Sequence, residues 1–139
     1  MMVSEDCVFC KMVAGQIPVM EIYSDRAVLA FLDIAPLSDG HTLVIPKQHC
    51  QSLHECPAEV VGQVAGCIGR IAKAVADAMG AEGYNVLCNN GRAAGQLVDH
   101  VHFHIIPRNA NDGVFDRWPS YQYKEGQAQE ITAKIVKNL

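Results

Sequence analysis

Apolar and polar residues alternate along Asp99-His100-Val101-His102-Phe103-His104-Ile105-Ile106, the pattern of a strand with histidines on one face and aliphatic or aromatic residues on the other. A strand over His100–Ile106 would put His100, His102 and His104 about 7 Å apart from neighbour to neighbour. A different period governs the middle of the chain. Val61, Val64, Ile68, Ile71, Val75 and Met79 recur at three- and four-residue steps, which predicts one long helix over Ala58–Met79 packed on a sheet, with Gly80 as its stop. Gly62, Gly66 and Gly69 lower the propensity of that helix and point to close packing, including against another subunit.

Shorter signals fill in the rest. Cys7–Ala14 reads as a short helix ended by Gly15, with Pro18 beyond it. Strands are expected at Val19–Tyr23 and Ala27–Asp33, joined by a turn at Ser24-Asp25, then at His41–Ile45, stopped by Pro46. Tyr84–Asn89 is a further strand, followed by the loop Asn90–Gln96, and Ala128–Val136 is a final helix. With one long helix available for crossovers, the expected fold is α+β: a five-stranded, mainly antiparallel sheet with one long helix and short flanking helices.

Composition narrows the class. The 139 residues suit one domain, of which half are apolar and 19% charged, and this argues for a compact globule. A net charge of −4 without any basic run supplies no attraction for a nucleic acid polymer. Met1–Asp6 does not read as a secretory signal and nothing approaches a membrane span, so the expectation is a cytoplasmic protein with no membrane partner. In that setting the six cysteines read as free thiols or metal ligands rather than as a disulfide framework.

The chemistry concentrates in the histidine segment. Burying three imidazoles together costs desolvation without a structural return, whereas one neutral imidazole can act as nucleophile while a neighbour donates a proton. The preceding loop carries Gly91 and Gly95 beside Gln96, so backbone N–H groups there can approach an anion. Cys7-Val8-Phe9-Cys10 has the spacing of half a soft-metal site, and equally of a redox pair or of two buried thiols. Cys50, Cys56, Cys67 and Cys88 read as core.

Phe31-Leu32-Asp33, Gly40-His41-Thr42-Leu43-Val44-Ile45-Pro46 and Asn89-Asn90-Gly91 through Pro107-Arg108 together resemble the histidine triad family. Within it they are most similar to bacterial-type, zinc-containing members related to the phosphoramidase branch. The resemblance runs from Cys7 to Arg108, with 109–139 as a C-terminal tail. It implies a homodimer whose two sheets join, and hydrolysis or nucleotidyl transfer at the α-phosphate of a nucleoside monophosphate conjugate. His102 is then the nucleophile, oriented by the His100 carbonyl and held afterwards as a nucleotidyl-histidine, with His41 and His104 at the phosphoryl oxygens. Phe9, Met12, Phe31 and Ile34 would line the base pocket, Asp33 would meet the ribose or serve as a turn residue, and Asn89, Gly95 and Gln96 would hold the α-phosphate region. A structural zinc would be closed by Cys7, Cys10, His49 and His100, with no organic cofactor. Purine phosphoramidates or mixed anhydrides are the implied substrates. The rival readings are a dinucleoside polyphosphate hydrolase and a nucleotide-binding interaction protein with little turnover. Leu97 departs from the phosphoramidase branch, which carries a serine there, and Trp118-Pro119 resembles that branch's C-terminal contact with the site.

Overall fold

The computed structural model describes residues 4–115 and 120–139; Trp118-Pro119 lies outside the described residues. Helix α1 (Val8–Val13) precedes strands β1 (Glu21–Ser24), β2 (Val28–Leu32) and β3 (Thr42–Pro46). Helix α2 (Ala58–Met79), strands β4 (Gly83–Leu87) and β5 (Phe103–Arg108) and helix α3 (Gln127–Val136) follow. The five strands form one sheet in the order β1-β2-β3-β5-β4, every neighbouring pair antiparallel. This is the expected α+β architecture.

Both faces of the central strands are covered, which is why β2 and β3 read as continuous apolar runs rather than alternating ones. On one face Val28, Ala30, Val44 and Ile105 pack under Val64, Cys67, Ile71, Ala72 and Val75 of α2. On the other, Leu29, Phe31, Leu43 and Ile45 gather around Phe9 of α1. The helix α2 has the bounds the periodicity predicts, and Gly80 ends it in the left-handed conformation with its N–H returned to the last turn. The close packing expected at Gly62, Gly66 and Gly69 is absent among the described residues: a Cβ at any of them would meet nothing within 4 Å. Gly40 is different. Its φ is +84°, and a Cβ there would lie 2.6 Å from Met79 Cγ, so glycine lets the chain pass the end of α2 and carry His41 into the interior.

The histidine strand begins later than the alternation suggests. β5 starts at Phe103, and its pairing with β3 covers only Thr42↔Ile105, Leu43↔His104 and Val44↔Phe103. Ahead of it, Val101 N–H donates to the Cys50 carbonyl (2.7 Å) and His100 N–H to the Val98 carbonyl (2.9 Å), so these backbone groups serve a loop instead of the ladder. His100 and His102 therefore precede the strand, and the three rings do not share one site. The bounds also differ at β1, which starts two residues late. At β4 the chain turns out at Cys88, where Asn90 donates to the Cys88 carbonyl and accepts from Leu53 N–H.

Candidate active site and metal cluster

A cleft of about 490 Å³ opens between α1, the β1–β2 side of the sheet and the 95–98 loop, with His102 and His104 at its lining. Phe9, Met12, Phe31, Asp33, Ile34 and Gly95 all border it, as the resemblance implies. Phe9 braces the wall edge-on, its ring 5.7 Å from Phe31 and 5.3 Å from His102.

Partners of the ring nitrogens fix which tautomer each histidine adopts. His102 Nδ1 lies 2.7 Å from the His100 carbonyl, an acceptor only, so Nδ1 carries the proton and Nε2 keeps its lone pair. A second chain runs the other way. Leu37 N–H donates to His41 Nδ1 (3.0 Å), which places the His41 proton on Nε2. That Nε2–H donates to His104 Nδ1 at 2.8 Å, which in turn places the His104 proton on its own Nε2. His104 Nε2 is buried and has no partner among the described residues. A buried N–H without an acceptor is costly, and one lining a cleft is the mark of a donor awaiting an anionic ligand.

Burial favours the neutral form of His41 and His104. Burial, reinforced by His102 and His41, depresses His104 to about 4 against a weaker opposing pull from Asp33. His41 is lowered for the same reason, burial, with Asp33 again opposing. The Asp33 carboxylate lies 3.6 Å from His41 Nε2, too far for a hydrogen bond, while its Oδ1 accepts Ala35 N–H at 2.9 Å. One oxygen thus does the work of a turn residue and the other remains available at the cleft, so the two roles weighed for Asp33 are compatible.

His100 points elsewhere. It is fully buried, does not line the cleft, and bears on it only through the carbonyl oxygen that accepts from His102 Nδ1. Its Nε2–H donates to the Pro46 carbonyl (2.9 Å), turning a bare Nδ1 toward Cys7 Sγ at 3.4 Å, Cys10 Sγ at 3.7 Å and His49 Nδ1 at 3.2 Å. His49 Nδ1 is also 3.4 Å from Cys10 Sγ, and all four ligand atoms lie within 4.8 Å of one another. A tetrahedral Cys2His2 site has N–N edges of about 3.3 Å and N–S edges of about 3.6 Å. The spacing fits a structural divalent metal, and the Pro46 carbonyl supplies the outer hydrogen bond that such a ligand needs. Burial pushes the His100 ring down to about 4 and the Cys10 thiol up, so the imidazole presents a lone pair and the sulfur lacks a compensating charge.

Of the predicted contacts, His41, Gln96 and Asn89 fall outside the cleft lining, and His41 reaches it through His104. The Gln96 side chain is buried and fully engaged: its Oε1 accepts Gly91 N–H (2.8 Å), and its Nε2 donates to the Gln51 (2.7 Å) and Val98 (3.0 Å) carbonyls. Asn89 sits behind Gly95, its Nδ2 at 3.5 Å from where a Cβ on that glycine would be. Residues that sequence reasoning missed include Leu37 and Pro46, which act through backbone groups and leave no side-chain signal. Arg92 was missed too; it donates to the Leu97 (2.8 Å) and Gln96 (3.3 Å) carbonyls and clamps the loop.

The comparisons agree with this geometry. The HIT domain matches residues 14–111. Adenosine 5'-monophosphoramidase hnt1 of Schizosaccharomyces pombe is 46% identical over 134 residues, covering 93% of this chain and 98% of its own. A crystal structure of a HIT family member from Bacillus subtilis superposes with a TM-score of 0.89 at 43% identity, covering 97% of this chain and 98% of that one. That of a Zn-bound histidine triad family protein from Mycobacterium smegmatis gives 0.75 at 38% identity, over 96% and 98%. With the triad, the cleft and the ring tautomers in place, the chain belongs to the HIT family and carries its histidine-triad chemistry on phosphate-containing substrates.

Proposed function

We propose that this protein hydrolyses nucleoside monophosphate conjugates at the α-phosphate through a covalent nucleotidyl-histidine at His102. The observation that carries the reading is the 2.7 Å contact between His102 Nδ1 and the His100 carbonyl, which leaves Nε2 as a bare nucleophile beside the cleft. Nε2 attacks phosphorus in line, the leaving group departs on the far side, and water hydrolyses the P–N bond, which imidazole leaves readily. His104 Nε2–H stabilises the charge that develops on a phosphoryl oxygen, held in its donor tautomer by His41. Phe9, Phe31 and Ile34 receive a purine base and Asp33 a ribose hydroxyl, as the yeast phosphoramidase relationship also favours.

Zinc is the metal proposed for Cys7, Cys10, His49 and His100. Four protein ligands leave no open position, so its contribution is a cross-link between the N-terminus and the loop that feeds β5. A homodimer, joined with the glycine face of α2 available for contact, completes the proposal.

The test is AMP release from adenosine phosphoramidate and from diadenosine polyphosphates, compared between wild type and His102→Ala. Release lost in the variant supports the reading, together with a nucleotidyl adduct found on His102 after rapid quenching. A preference for the dinucleotide transfers the assignment to polyphosphate hydrolysis. Release that persists in His102→Ala overturns it.

A further inference from the structure

We propose that Leu97 selects conjugates whose leaving group is an apolar carboxylate, so that the preferred substrates are mixed anhydrides of a nucleoside monophosphate with an apolar acid. This rests on the hydrolysis reading above and specifies the part of the substrate that reading leaves open.

In-line attack sends the leaving group to the side of phosphorus opposite His102 Nε2, which on this proposal is the mouth of the cleft. Besides Leu32, three large apolar side chains that stand mostly in solvent border that cleft: Leu97 is 79% exposed, Ile34 95% and Met20 75%. Single exposed apolar residues need no explanation, but three around one opening mark a surface that an apolar group covers. The nucleoside does not account for Leu97, which extends from the loop wall with Gly95 and Val98, opposite the α1 and β1–β2 side.

Charge points the same way. Among the described residues lining the cleft there is no Lys or Arg, and Asp33 is the one acidic group. The nearby cation, Arg92, is committed to the carbonyls of Gln96 and Leu97 and to Asp99 at 3.3 Å. A polyanionic leaving group would find no described counter-charge at this mouth.

Proton supply separates carboxylates from amines. An amine must gain a proton as its P–N bond breaks, and Leu97 has none to give. The free donor beside the nucleophile is His104 Nε2–H, whose ring lies 5.0 Å from His102 and serves the phosphoryl oxygen. A carboxylate needs no proton. The Nε2 lone pair forms the P–N bond, the P–O bond to the acyl group breaks, and its electron pair stays on the carboxylate oxygen. Water then forms the new P–O bond, the P–N pair returns to Nε2, and one water proton is released to solvent. The products are the nucleoside monophosphate and the free acid anion.

The experiment compares kcat/KM for the adenosine monophosphate anhydrides of octanoate and acetate, with His102→Ala as the baseline for spontaneous hydrolysis. Wild type is expected to favour octanoate by about tenfold, the worth of burying roughly two methylenes. Leu97→Ser reduces that ratio to below about threefold, and Leu97→Met preserves it. A wild-type ratio near one, or a ratio unchanged in Leu97→Ser, overturns the inference while His102-dependent release still upholds the hydrolysis reading. A phosphoramidate cleaved faster than either anhydride overturns the carboxylate assignment alone. Absence of His102-dependent release from all three removes the parent reading and the inference with it.

Discussion

Two groups of side chains are fed by the same short segment, 100–104, and they differ in what their ring nitrogens face. In the Cys7–Cys10–His49–His100 cluster each ligand atom is turned toward the other three, a closed arrangement with no position for a substrate. At the cleft, His41 satisfies one side of His104, yet among the described residues His104 Nε2 is left without a partner and His102 Nε2 is left bare. Imidazoles two residues apart thus acquire opposite tasks from their backbone neighbours. The Pro46 carbonyl turns a bare His100 Nδ1 toward the cluster, and the His100 carbonyl leaves a bare His102 Nε2 beside the cleft. The closed cluster is coupled to the open cleft through His100, and also through Phe9, which lies between the two cysteines in sequence and packs on His102.

That coupling can be broken at either end. The largest effect is expected for His102→Ala, which should lower the rate of conjugate hydrolysis by about a thousandfold or more while leaving the thermal midpoint within a few degrees, by steady-state kinetics and calorimetry. Next comes the closed side: Cys10→Ser, or stripping with a strong chelator, should lower Tm by about 10 °C, equivalent to roughly 3 kcal/mol. Its secondary effect on kcat would show how far the cluster holds His100, and through it His102, in place. Smaller still is His41→Ala, which frees His104 to adopt either tautomer and should cost about tenfold in kcat with less change in KM.

The smallest effect is on pH dependence. His104 titrates near 4 in the folded protein, below its ordinary value of 6.5, so the unfolded chain binds the additional proton between those limits. Its contribution to stability is present above about 6.5 and is lost as pH falls toward about 4. His104→Gln should make the decline of Tm across that window shallower, measured by thermal melts at fixed ionic strength.

Much of this comparison was legible in the sequence, and the exceptions have a common cause. The α2 stripe and Gly80 define that helix without help from the rest of the chain, because its period and its stop are both local. The start of β5 is not local. The alternation through His100–Ile106 is unbroken, and only the pairing of Val101 with Cys50, some fifty residues away, tells the loop from the strand. The Gln96 side chain is likewise placed by distant parts of the chain, since its amide is taken up by backbone groups of residues 51, 91 and 98. Cys7-x-x-Cys10 announces half a metal site, while His49 and His100 join it through the fold. The glycines of α2 mark a face that no described residue covers.

The most direct test is the protonation state of the individual rings, read by two-bond ¹H–¹⁵N correlation NMR at neutral pH. The account predicts that His102 alone among His41, His100, His102 and His104 carries its proton on Nδ1, with the other three protonated on Nε2. A His102 ring protonated on Nε2, or a His104 ring protonated on Nδ1, would contradict it.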